Sequence, residues 1–122
     1  MKAEVSKKIG FEAAHFLPNY EGKCSKIHGH HWEVEICCSG KVGTSTGMVV
    51  DFIKMKELLG WVDYRYDHKF INDFIKNPTA ENIALDILRE FELWCIAQGL
   101  RWEYIKVWES EDSFATLRNT EK

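Results

Sequence analysis

The chain has 122 residues, a net charge of −3 and a pI near 5.9, with 45% hydrophobic and 29% charged residues. This is the size and balance of one globular domain spanning residues 1–122. The acidic balance argues against nucleic acid as a main partner, and the opening MKAEVSKKIGFEAAH lacks the long apolar core of a signal peptide. With no stretch resembling a membrane span, a cytoplasmic protein without membrane contact is expected.

Residues 2–15 alternate, with Ala3, Val5, Ile9, Phe11 and Ala13 on one parity, interrupted by Lys7. That period predicts a strand with His15 on its buried side. Residues 16–29 hold Pro18, Asn19, Gly22 and Gly29 and read as a loop. A second strand is predicted from about residue 30, with Trp32, Val34, Ile36 and Cys38 on one face and Glu33, Glu35 and Cys37 on the other. Gly40 to Gly47 reads as a turn region. Asp51 caps a predicted helix to about Val62, with Phe52, Met55, Leu58, Leu59 and Val62 as its apolar stripe. Residues 63–78 form a longer connection. Thr79 is an N-cap for a helix whose stripe is Ala84, Ile87, Leu88, Phe91, Trp94 and Cys95, and Gly99 ends it. Residues 102–109 and 113–118 read as a closing hairpin. The order β-β-α-α-β-β predicts an α+β fold, an antiparallel sheet with both helices on one face. The other face then needs cover, which points to an oligomer.

Cys24, Cys37, Cys38 and Cys95 do not have the spacing of a disulfide framework, and in a reducing compartment they are free thiols. Cys95 reads as packing. Four of the five histidines fall at His15, His28, His30 and His31. His28 and His30 are two residues apart, so in extended chain they point the same way, with Trp32 and Val34. His31 points to the opposite, surface-like face. His15 continues the apolar parity of the first strand. If the two strands pair as a hairpin, His15, His28 and His30 converge, and three neutral imidazoles suit Zn2+ with a fourth position left open.

Three other positions carry more than one reading. Cys24, in a glycine-flanked loop beside Lys23, is a thiolate base, a fourth metal ligand or an ordinary loop cysteine. Asp67-His68 is a proton relay or a solvated loop dipeptide. Glu109, on the parity of Ile105 and Val107, grips a guanidine-like ligand edge or is a solvated strand end.

The run Phe11-Glu12-Ala13-Ala14-His15, then Cys24-x-x-x-His28-Gly29-His30, Asp67-His68, Pro78-Thr79-Ala80-Glu81-Asn82 and Glu109 resembles the 6-pyruvoyl-tetrahydropterin synthase family over nearly the whole chain. The short Cys24-to-His28 spacing is similar to the bacterial branch, 6-carboxytetrahydropterin synthase of queuosine and deazapurine biosynthesis. The pyruvoyl-forming branch usually has a longer gap. The resemblance implies a T-fold, a four-stranded antiparallel sheet with two helices on one face. It also implies barrels built from trimers, two of which stack into a homohexamer with sites between subunits.

By position, His15, His28 and His30 would hold zinc, and Cys24 would be the catalytic base. Asp67 and His68 would complete its relay from a neighbouring subunit, Glu109 would anchor the pterin ring, and Thr79 would line that pocket. The implied lyase reaction takes 7,8-dihydroneopterin triphosphate to 6-carboxy-5,6,7,8-tetrahydropterin, releasing acetaldehyde and triphosphate. The alternatives are the pyruvoyl product from the same substrate and a non-catalytic, zinc-stabilised pterin-binding module. The chain departs from the family in having Ala80 where a second hydroxyl residue is common. Its acidic Ser110-Glu111-Asp112 segment is unhelpful for a triphosphate, leaving Lys23, Lys26 or Arg118 as counter-charge.

Overall fold

A computed structural model describes residues 1–122. The elements in chain order are β1 (Lys2–His15), β2 (His28–Lys41), α1 (Phe52–Tyr66), β3 (Lys69–Phe70), α2 (Ala80–Gln98), β4 (Arg101–Trp108) and β5 (Phe114–Arg118). The sheet order is β3-β1-β2-β4-β5. Every long pairing is antiparallel, and β1 with β2 forms a continuous hairpin from Lys2↔Lys41 to His15↔His28.

The alternating parity does what it predicts. Phe11, Ala13 and His15 are buried on β1, and Trp32, Val34 and Ile36 on β2, all on the helix-covered face. All of these except His15 join Met55, Leu58, Leu59 and Val62 of α1 and Ile83, Ala84, Ile87 and Phe91 of α2 in one core of 19 residues. Each large apolar side chain sealed there contributes about 2 kcal/mol through removal from water. The opposite face interleaves charges and rings: Lys106 Nζ lies 5.1 Å from the Phe114 ring centre and 5.7 Å from that of Trp108. No helix is long and apolar enough to cross a membrane.

Four sequence expectations need correction. The sheet has five strands rather than four, because Lys69 and Phe70 pair in parallel with Ala13 and Ala14. The second strand starts at His28, not residue 30, since its pairing with β1 carries on to the end of that strand. Helix α1 runs past Val62 to Tyr66, because Tyr66 turns inward and is fully buried. Phe52 is exposed rather than part of the stripe, with Lys7 Nζ 5.8 Å from its ring centre. The caps hold as predicted: Asp51 accepts from Ile53 N–H at 2.9 Å, Thr79 from Asn82 N–H at 3.1 Å, and Gly99 takes φ 72° past α2.

Candidate metal centre and active site

The β1–β2 register places His15 opposite His28, while His30 lies diagonally on the same face, opposite Ala13. The ring centres are 4.7 Å apart for His15 and His28, 5.4 Å for His15 and His30, and 4.7 Å for His28 and His30. Trp32 floors the cluster, its centroid 4.8 Å from that of His15 and 5.6 Å from that of His30. Its indole N–H donates to the Ala13 carbonyl at 3.2 Å, so this buried ring leaves no polar atom facing the histidines.

Two backbone carbonyls fix the imidazoles. His15 Nδ1 donates to Pro78 O at 2.8 Å, and His28 Nδ1 donates to Lys26 O at 2.7 Å. A carbonyl only accepts, so each Nδ1 carries a proton, and in the neutral form of each ring that leaves Nε2 bare. Glu109, just past β4, brings Oε1 to 3.0 Å from His15 Nε2 and 3.6 Å from His30 Nε2. These approaches lack hydrogen-bond alignment, and both buried Nε2 atoms remain without a partner. One ligand atom from each of His15, His28, His30 and Glu109 lies within 4.8 Å of the others.

Bare nitrogens facing a carboxylate oxygen are acceptors facing an acceptor. A cation between them resolves that arrangement, and three imidazoles suit zinc with the fourth position left open. The electrostatics agree. Burial lowers the pKa of His30 first, Glu109 opposes, and His28 and His15 add to the lowering, which favours the neutral ring that binds metal. Glu109 is held below its ordinary value, first by hydrogen bonding from His15 with burial opposing, a lowering that requires a proton or a cation on the histidine side.

Cys24 sits on a short turn, Lys23–Ser25, that Ser25 closes by donating to Gly22 O at 2.7 Å. Gly22 has φ 119°, a conformation that favours glycine. Half-buried Cys24 lines an open recess of about 350 Å³ with Lys23, His28, His30 and Glu109. Its sulfur is not among the converging ligand atoms, a place Glu109 takes instead.

Asp67 and His68 are held elsewhere. Asp67 Oδ1 accepts the Glu12 N–H at 2.9 Å, His68 N–H donates to Glu12 O at 2.6 Å, and His68 Nδ1 donates to Asp67 Oδ2 at 2.8 Å. His68 has φ 58°, a left-handed conformation fixed by these bonds. The Asp67 carboxyl is held below its usual range, first by the Glu12 N–H and then by His68. The His68 side chain is 80% exposed and lines a depression of about 570 Å³ with His31 and Lys69, which His30 also borders. One chain therefore sets Cys24 in a recess with His28, His30 and Glu109 that His68 does not line. His31 is exposed, as expected, and pairs with Glu12 at 2.5 Å. Thr79 is half-buried with its hydroxyl used in capping, and it does not line the Cys24 recess.

Sequence reasoning placed Glu109 in a ligand-binding role but not among the metal-facing atoms. It also missed the Pro78 and Lys26 carbonyls. The one available signal was the Pro78-Thr79 start of α2, which leaves a carbonyl outside the helix ladder.

The family model for 6-pyruvoyl tetrahydropterin synthase matches residues 4–120. An Archaeoglobus fulgidus protein, provisionally named a 6-carboxy-5,6,7,8-tetrahydropterin synthase, is 41% identical over 93% of this chain and 94% of its own length. The Rickettsia bellii 6-carboxy-5,6,7,8-tetrahydropterin synthase is 33% identical over 93% of this chain and 88% of its own. A dihydroneopterin monophosphate aldolase of Pyrococcus furiosus is 36% identical over 70% and 71%. In fold, the structure is similar to Caenorhabditis elegans 6-pyruvoyl tetrahydropterin synthase, with TM-score 0.86, 20% identity and coverage of 98% and 97%. This chain belongs to the 6-pyruvoyl tetrahydropterin synthase family.

Proposed function

We propose that the chain is a zinc-dependent lyase converting 7,8-dihydroneopterin triphosphate and water to 6-carboxy-5,6,7,8-tetrahydropterin, with release of acetaldehyde and triphosphate. The observation that carries the metal is the pair of buried, partnerless Nε2 atoms of His15 and His30, aimed at one point with His28 beside them. Zinc held there supplies Lewis acidity toward the hydroxyls of the substrate side chain.

The protein's own groups do the rest. Cys24, at the mouth of the same recess, takes a proton from the side-chain carbon. Lys23, on the same turn, offers charge to phosphate. Asp67 orients His68, which returns a proton from a neighbouring subunit. Glu109 grips the amino-pyrimidinone edge of the pterin through paired hydrogen bonds, with Thr79 beside it. The exposure of His68, away from Cys24 in one chain, supports a site shared between copies, and a homohexamer of two stacked trimers accommodates it. The enzyme works in the cytoplasm, and its product feeds queuosine or another deazapurine.

The carboxy-forming reaction is favoured by the short Cys24-to-His28 spacing and by the names of the relatives. The aldolase name of the Pyrococcus relative supports a second reading, retro-aldol cleavage of the same side chain. Incubation of zinc-loaded protein with dihydroneopterin triphosphate separates the readings. Acetaldehyde with free triphosphate is the expected result. Triphosphate without an aldehyde means the pyruvoyl product. A triphosphorylated two-carbon aldehyde without free triphosphate means aldol cleavage, and no turnover at all leaves a pterin-binding module.

A further inference from the structure

The Pro78–Asn82 run is the motif whose role the chemistry above leaves open. The chain enters α2 here, and the three carbonyls around the turn have different fates. Asn77 O accepts the Thr79 N–H at 2.9 Å and the Asn82 side-chain amide at 2.8 Å. Thr79 O accepts the Ile83 N–H at 2.9 Å and starts the helix ladder. Pro78 O receives neither. The N–H that an earlier helix start would send to it, that of Asn82, goes instead to the Thr79 hydroxyl at 3.1 Å. The free carbonyl points at His15 Nδ1, 2.8 Å away across 63 residues of sequence.

We infer that Asn82 is a positioning residue for the metal site: by clamping Asn77 it holds the Pro78 carbonyl on His15. Through that bond it fixes which ring nitrogen of His15 is bare. The inference rests on the metal reading above. Pro78 is itself buried and has no N–H, so its carbonyl is oriented only by the turn on either side of it. The side-chain amide of Asn82 is the one side-chain bond on the Asn77 side of that turn. His15 has no exposed surface, so no water replaces a displaced carbonyl without opening the core. His28 differs: its carbonyl partner is two residues away on an exposed loop.

Asn82→Asp is the informative variant. Asp is the same shape and favours a helix first turn, but it cannot donate to Asn77 O. A purely structural role for Asn82 therefore predicts a lowered melting point from the lost bond with parent-like zinc affinity. A positioning role predicts zinc affinity weakened about tenfold, the lower end for partners of metal-ligating histidines. It also predicts His15 divided between ring tautomers in the 15N spectrum of metal-free protein. Asn82→Ala should weaken zinc at least as much. Zinc affinity is read by chelator competition on full-length protein, with melting of the metal-free form as a check on folding. Parent-like zinc affinity and an undivided His15 tautomer in Asn82→Asp would overturn the inference, as would a lowered melting point with unchanged affinity. A parent protein that takes up no zinc would instead sink the metal reading.

Discussion

Oε1 of Glu109 sits 3.0 Å from Nε2 of the fully buried His15, an acceptor against an acceptor. Glu109 approaches the cluster from the end of β4, whereas the three histidines come from the β1–β2 hairpin. When three imidazoles hold zinc, the carboxylate has no need to complete a closed four-ligand shell and is free to turn to a ligand. Glu109→Gln should keep the zinc content of the parent and lower kcat/KM by about 10- to 100-fold, the loss of one charge-assisted contact. Metal analysis beside steady-state kinetics reads both. Loss of zinc with the Gln side chain would make Glu109 a ligand and remove its assignment to the pterin.

Cys24 lines the recess without joining the converging ligand atoms, which separates its role from that of the histidines. Cys24→Ala should therefore retain zinc and the fold and lose about 100-fold or more in kcat, the usual worth of a positioned acid or base. His28→Ala should lose zinc as well. If Cys24→Ala instead released the metal, the sulfur would be a structural ligand and the enzyme reading would weaken.

The β1 parity puts His15 inside, and the two-residue spacing puts His28 and His30 on one side, so the histidine cluster is legible from residue spacing once the two strands pair. Thr79 and Gly99 bound α2 for local reasons, a side-chain cap and a left-handed residue. What stays hidden depends on contacts that leave no period. Lys69-Phe70 is too short to alternate and becomes a strand only by lying against Ala13 and Ala14. The end of α1 is polar in sequence, Asp63-Tyr64-Arg65-Tyr66, and is extended by one buried ring and its tertiary partners. The Pro78 carbonyl meets His15 through backbone placement across 63 residues, which no side-chain pattern encodes.

The pH response of the metal-free protein follows from His30. Its pKa is lowered from 6.5, first by burial, so the unfolded chain takes up that proton before the folded one as pH falls. Stability is then unaffected well above 6.5 and declines as pH drops through that value toward the folded pKa. Glu109, lowered from 4.5, contributes stability that is lost only in a separate, more acid window. Chelator-treated protein should show a falling urea midpoint between about pH 7.5 and 5.5, a range that brackets the ordinary histidine value. His30→Gln should flatten that slope. A slope unchanged by the substitution would assign the effect to another histidine.

The helices are joined by one ionic clamp that also fixes the start of the Asp67-His68 segment. Arg65 at the end of α1 donates to Asp86 of α2 through Nε at 2.6 Å and Nη2 at 2.8 Å, and the Tyr66 hydroxyl donates to the same carboxylate. The Asp86 side chain is only 11% exposed, and the guanidinium lies 4.4 Å from the Phe74 ring centre. Removing the carboxylate leaves a partly buried cation and a buried phenol without their acceptor. Asp86→Ala should cost about 3 kcal/mol, the lower end for breaking a buried pair. Urea unfolding at fixed protein concentration and saturating zinc measures it, since metal and assembly both raise apparent stability. Because Tyr66 directly precedes Asp67, the same variant should lower kcat more than it lowers zinc affinity. A cost below about 1 kcal/mol, the range of exposed pairs, would mean that packing alone holds the two helices together.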